Sequence, residues 1–330
     1  MDQVRTPLLL GDIVEQTVNL TVSTFTRSLI VSALFLTLPF IVITITANEF
    51  FHAVLALGPT SGADQEQWQR LLPFLHALIP FILSTFIVLI GTVITQIAIT
   101  QMAAGDLTGE SIGYATAIAR TFDRRWYRSI VAEFLKMAVL SAFIAAVVIA
   151  MVIIMMLAGG GKTETGTTVI TVLFILFLTP VIVAVAVLWN FSLEAVAIED
   201  LTATEALRRS WALVKGYWWR TVGIFFLFGI AVQFITSIIS IPFTFGSMWD
   251  VYKEFFTIAK EQNGQVDPHL FEQIQGALGT GIGVGMAITT VVRMLIEPQY
   301  RTVMYFDLRA RHTPASEPVA ESVPTVPPTV

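Results

Sequence analysis

The chain has 330 residues, 55% of them hydrophobic and 13% charged, and its mean hydropathy of +0.75 excludes a water-soluble globular domain. A net charge of −5 offers no basic footprint for nucleic acid, and the absence of cysteine excludes disulfides, thiolate metal sites and thiol nucleophiles. What remains is an all-α, polytopic membrane protein.

In chain order, six apolar runs are each long enough to cross ~30 Å of hydrocarbon: roughly 29–51, 74–103, 130–157, 167–190, 222–245 and 277–305. The 28 residues ahead of the first carry Asp2, Asp12 and Glu15, so that run lacks the basic lead of a secretory signal and reads as a retained span. Before the first, third and fifth runs lie three amphipathic stretches, 10–31, 108–131 and 199–221. The third opens with Thr202 and Glu205 at capping-box spacing, and Leu207, Trp211, Val214 and Trp218 fall on one helical stripe opposite Arg208, Arg209 and Lys215. That pattern predicts a helix in the membrane surface, indoles at headgroup depth and cations toward anionic lipid. The stretches end alike, in Phe25-Thr26-Arg27-Ser28, Trp126-Tyr127-Arg128-Ser129 and Trp218-Trp219-Arg220-Thr221; Arg124 and Arg125 extend the second. The even-numbered runs also end alike, at Asp106, Asp200 and Asp307. These matches predict a membrane domain over 1–312 made of three pseudo-repeats (about 10–104, 105–198 and 199–312), followed by a Pro-rich disordered tail over 313–330.

Of 19 Lys and Arg, Arg70, Lys162, Lys253 and Lys260 fall in loops on one side, and Lys136 and Arg293 fall inside spans. The other 13 share the side of the two termini, which the positive-inside rule places in the cytoplasm.

The stretch AVAIEDLTATEALRRSWALVKGYWWRTVGIF and the ending VMYFDLRARH resemble the membrane domain of some bacterial glycerophosphodiester phosphodiesterases and related stand-alone membrane proteins. In the fused enzymes a soluble phosphodiesterase domain follows. Here the tail TPASEPVAESVPTVPPTV takes its place, so the resemblance implies the membrane module without the enzymatic activity.

Ten residues before the aligned aspartates stand Gln96, Asn190 and Glu297, about 15 Å deeper along a helix, near the bilayer midplane. Arg293 and Arg301 lie one turn to either side of Glu297, and a mid-bilayer Arg is expected to point inward and be paired. Pro298 is a candidate kink, and Glu133, Lys136 and Glu194 form a second polar group nearer the cytoplasmic ends. AGGGKTETG (158–166) lacks the spacing of a phosphate loop and reads as a turn. Loop 246–275 reads as an interfacial helix followed by a turn at Asn263-Gly264, and Gly281 and Gly285 as a close-packing face. The four histidines are scattered, so neither a metal nor a cofactor is expected. The pattern points first to a non-catalytic multi-pass module in the cell membrane that organises or senses anionic lipid. A transporter or channel using the polar centre is the alternative. An intramembrane enzyme ranks third, since no nucleophile–base–orienter set can be assembled.

Overall fold

Backbone polar groups in hydrocarbon must be satisfied within the chain, and here helices do it. The computed structural model describes residues 7–56, 64–157, 176, 178–261 and 268–312. The turns expected at 158–166 and Asn263-Gly264, and the tail 313–330, lie outside them. The helices are α1 (Leu10–Ala56), α2 (Asp64–Thr108), α3 (Tyr114–Arg120), α4 (Trp126–Leu157), α5 (178–188), α6 (Ser192–Glu199), α7 (Ala203–Lys215), α8 (Trp218–Glu261) and α9 (Pro268–His312). Among the described residues, five segments are long and apolar enough to cross a membrane: Leu10–Val54, Leu71–Thr108, Tyr114–Ile153, Leu178–Glu199 and Trp218–Phe243. α9, at 45 residues, carries Arg293, Glu297 and Arg301 and is less apolar.

Two of the three amphipathic stretches are not separate helices. α1 runs unbroken for 47 residues, about 70 Å at 1.5 Å per residue. One buried stripe (Ile13, Thr17, Leu20, Thr24, Ser28, Val31, Leu36, Phe40) follows it from the polar start into the apolar run, so the same face docks throughout. Nothing in 10–31 stops a helix; the proline inside α1 is Pro39. In the second stretch α3 passes into α4 through a π turn, Thr121–Arg125, closed by the Trp126 N–H on the Thr121 carbonyl. Only in the third does Gly216 end α7 before α8 begins at Trp218.

α1 packs along both α2 and α9, and α9 along α8. Two glycines set these approaches. A Cβ on Gly91 would lie 2.8 Å from the Phe35 carbonyl oxygen of α1, and one on Gly283 would lie 2.6 Å from the Thr44 hydroxyl. Gly285 is buried as well; the burial of Gly281 lies outside the described residues. α9 continues through Pro298, and the Thr302 hydroxyl donates to the Pro298 carbonyl at 2.6 Å.

The fourth candidate span is broken in its middle. Residues 189–191 leave helical geometry between α5 and α6, freeing backbone groups at a buried position. Ser210, fully buried on α7, takes up two of them: its hydroxyl accepts from the Phe191 N–H at 3.1 Å and donates to the Leu188 carbonyl at 2.7 Å. α7 is therefore wedged into the break. Its start is the expected capping box, with the Thr202 hydroxyl and N–H both donating to the Glu205 carboxylate (2.7 and 3.1 Å), which holds that carboxyl below its ordinary range.

Ser210→Ala leaves a carbonyl and an N–H unpaired at the break and should cost about 1–3 kcal/mol. Thermal unfolding in detergent checks this, with Ser141→Ala, an exposed serine of α4, expected to be neutral.

Candidate functional site

At one end of the bundle the aligned arginines meet the aligned aspartates. Arg27 of α1 pairs with Asp106 of α2 and also donates to the Ile112 carbonyl at 3.1 Å. Arg128 of α4 pairs with Asp200, after α6, at 3.0 Å, with Arg125 beside it at 3.6 Å. Arg220 of α8 pairs with Asp307 of α9 at 3.1 Å. Asp307 has a fully buried side chain and also accepts the Leu8 N–H at 2.7 Å and Arg311 at 3.1 Å. The Leu8 carbonyl in turn accepts from Arg220 (2.9 Å) and Arg311 (2.7 Å). This clasp brings the start of the described chain and the end of α9 to the same end of the bundle.

The aspartates are positioned by three different local solutions. Asp106 lies within a Schellman closure of α2, with the Glu110 N–H on the Gly105 carbonyl (2.8 Å) and Gly109 at φ 83°. Gly105 has to be glycine, because its Cβ would lie 2.4 Å from the Glu110 carbonyl oxygen. Asp200 itself takes the left-handed conformation, φ 54°, at the end of α6. Asp307 lies inside α9, just ahead of its basic last turn with Arg309, Arg311 and His312.

Deeper in the bundle, charges from three helices lie within electrostatic reach of one another. Glu133 and Lys136 pair on α4 at 2.6 Å. Glu194 of α6 is fully buried; among the described residues neither of its carboxylate oxygens has a hydrogen-bond partner, and the charges that act on it are those of Arg301, Lys136 and Glu133. On α9, Glu297 contacts Arg301 at 3.3 Å and Arg293 at 3.8 Å, as the one-turn spacing predicts. Arg293, however, does not point inward. Its side chain is 44% exposed, and it donates to Gln233 of α8 at 3.1 Å. Nor do Gln96, Asn190 and Glu297 meet: among the described residues no hydrogen bond joins them, and the Gln96 amide nitrogen is buried without a partner. Four residues nearer the aspartates, Thr100 and Glu194 are buried, while Arg301 is partly exposed like Glu297.

The surface residues also divide. Leu207 and Val214 of α7 are buried against the bundle rather than turned to lipid, because α7 fills the α5–α6 break. Trp218 is half-buried and Trp126 partly so. Arg27, Arg125, Arg128, Arg209 and Arg220 are engaged by carboxylates of the chain, Arg209 by Glu199 at 3.2 Å. Arg124, Arg208 and Lys215 remain exposed, without an ion pair among the described residues, close in sequence to exposed Phe122, Tyr127, Trp211 and Trp219, the last 80% exposed.

Between the ends of α2, α6 and α9 and the π turn lies a cavity of about 210 Å³, lined by Gln101, Gly105, Thr108, Glu110, Arg120, Arg125, Ala197, Ile198, Phe306 and Arg309 among others. The sequence singled out neither Arg120, Gln101 nor Arg309. Arg309 does lie two residues after an aligned aspartate, and Arg120 five before Arg125.

The family described as a domain of unknown function (DUF7847) matches residues 14–306, and the chain belongs to it. No curated protein and no solved structure matches the chain.

Burial ranks the three clasps. Asp307→Asn should cost about 3–5 kcal/mol, because it strands two arginines at a carboxylate with no exposed side-chain surface. Asp200→Asn, with the side chain half exposed, should cost no more than about 1 kcal/mol. Asp106→Asn should fall between. Chemical denaturation in mixed micelles gives the order, and equal losses at all three would reject it.

Proposed function

We propose that this member of the DUF7847 family is a non-catalytic multi-pass module whose clasp-bearing end engages anionic lipid at the cytoplasmic face of the cell membrane. The observation that carries the reading is the set of exposed cations without a carboxylate partner among the described residues, Arg124, Arg208 and Lys215, accompanied by exposed Trp211 and Trp219. Cations beside aromatic rings on a membrane protein's polar end suit a charged headgroup layer. Lys and Arg concentrate on this side of the sequence, which supports a cytoplasmic placement of both termini. Leu8 on Asp307 supports an even number of crossings, and counting α9 with the five apolar spans makes six. Arg27–Asp106, Arg128–Asp200 and Arg220–Asp307 support three pseudo-repeated units, since each pair joins the same two columns. The resemblance to a phosphodiesterase membrane domain agrees with a module that carries no active site of its own.

Replacing Arg124, Arg208 and Lys215 together by Gln should remove the preference for anionic vesicles, at ~1 kcal/mol per charge, and leave the thermal midpoint unchanged. Co-reconstitution with vesicles of graded phosphatidylglycerol content checks it; an unaltered preference rejects the reading.

One observation favours a second reading, a transporter. Glu194 is a buried carboxylate whose oxygens have no hydrogen-bond partner among the described residues, beside a break in its own candidate span. On that reading Glu194→Gln keeps the fold but abolishes pH-dependent solute flux into proteoliposomes. Unchanged flux for every solute tested, with altered stability, leaves Glu194 a structural group.

A further inference from the structure

We propose that residues 313–330 dock on the exposed face of α7 through Glu317 and Glu321 and shield it from anionic lipid, a regulation that rests on the lipid-engaging function. Three observations meet here: where α9 ends, which α7 side chains stay exposed, and what charge the following residues carry.

His312, the last residue of α9, lies against α7. Its Nε2 is 2.9 Å from the Ala212 carbonyl oxygen, and its ring centroid is 5.4 Å from that of Tyr217. A Cβ on Gly216 would lie 3.5 Å from the His312 Cε1. Residue 313 therefore leaves α9 beside Ala212. Along α7, Arg208 lies about 6 Å to one side of Ala212 and Lys215 about 4.5 Å to the other, at 1.5 Å per residue.

α7 divides by burial. Leu207, Ser210 and Val214 are buried against the bundle, whereas Arg208, Trp211, Ala212 and Lys215, at steps of three and four residues, form an exposed stripe. Arg209 turns away from it to Glu199 at 3.2 Å, and neither Arg208 nor Lys215 has an ion pair among the described residues. Glu205 is the acidic group of this face, at its start, where the Thr202 cap donates to its carboxylate. Around Ala212 the face is cationic.

Residues 313–330 carry Glu317 and Glu321 and neither Lys nor Arg, so their charge is opposite to that of the face they start from. Their five prolines favour extended polyproline geometry, about 3.1 Å per residue. Glu317 and Glu321 are then ~12 Å apart, against ~10.5 Å from Arg208 to Lys215 along α7. The five steps from His312 to Glu317 reach up to ~15 Å, enough to meet either cation. Proline rings pack on exposed aromatic side chains, and Trp211, 42% exposed, lies between the two cations. So short a tether gives the segment an effective concentration on the order of millimolar. Exposed ion pairs are weak singly and screened by salt, so the docking is reversible. A charged leaflet, which also engages Arg124 and Trp219, displaces it.

The test adds Ala212→Cys and Ala320→Cys to the full chain, which has no cysteine of its own, at one copy per lipid nanodisc. In phosphatidylcholine discs a short thiol crosslinker should join the two sites. Glu317→Gln with Glu321→Gln should cut the yield about threefold, and so should Arg208→Gln with Lys215→Gln. Phosphatidylglycerol in the disc should lower it in the parent. Without the cysteines, the two glutamate substitutions should raise the preference for anionic vesicles about threefold, opposite in direction to Arg208→Gln. A yield that the glutamate substitutions leave untouched would mean that tethering alone brings the sites together, and would overturn the docking. A glutamate-dependent yield that phosphatidylglycerol leaves unchanged would overturn the shielding if the parent still prefers anionic vesicles. If the parent shows no such preference, the lipid-engaging function fails and the docking stands.

Discussion

The buried carboxylate of Asp307 is the constraint on which one end of the bundle depends. Helices in lipid gain little from hydrophobic burial against one another, so packing and polar contacts decide how they assemble. Asp307 gathers a main-chain N–H from residue 8, an arginine from α8 and an arginine from its own helix around one site. Arg27–Asp106 and Arg128–Asp200 hold the other helix pairs at the same end, under progressively more exposure. Aromatic contacts extend the third clasp, with Arg311 over the Tyr217 ring and Tyr217 against His312. The result is a bundle whose α7–α8 turn is tied to Leu8 and to the end of α9.

Inside the bundle, described charges of opposite sign lie side by side. Glu133 pairs with Lys136 on α4 and Glu297 with Arg301 on α9, where Arg293 reaches the same carboxylate from a more exposed position. Burying charges costs several kcal/mol per ion unless they are paired, so these contacts are what make the charges tolerable. Glu194 is the exception in detail: it has charges near it but no hydrogen bond among the described residues. It also lies just past the irregular backbone at 189–191, so the least regular stretch of span and the least satisfied side chain coincide.

Much of this was legible in the residues. Apolar runs long enough for hydrocarbon gave the helices, and Thr202 with Glu205 gave the start of α7. The one-turn spacing of Arg293, Glu297 and Arg301 gave their contacts. Helix continuity was not legible, because an amphipathic lead and an apolar span differ in composition but share the buried stripe that keeps α1 whole. The docking of α7 was missed for a related reason. An apolar stripe reads the same whether lipid or a break in a neighbouring helix covers it, and Ser210, which decides the matter, interrupts the stripe as a polar residue. The columns of arginine and aspartate were both visible, yet read separately, the first as lipid-facing and the second as a ruler. Opposite charges at a common level were the signal that they belong together. The π turn leaves no trace in composition, so the convergence of Arg120 and Arg125 needed coordinates.

Because the third clasp closes on Leu8, the chain cannot finish assembling until synthesis has delivered residue 307, a separation of 299 positions. The first clasp spans only 79 positions and can form while later helices are still on the ribosome. The N-terminal segment must therefore wait, unclasped, beside the insertion machinery for most of translation. Long-range closures of this kind form late, after the cheaper local ones. A nascent chain stalled before α9 would show a free amino terminus and an incomplete bundle, a difference that quality-control proteases are able to read.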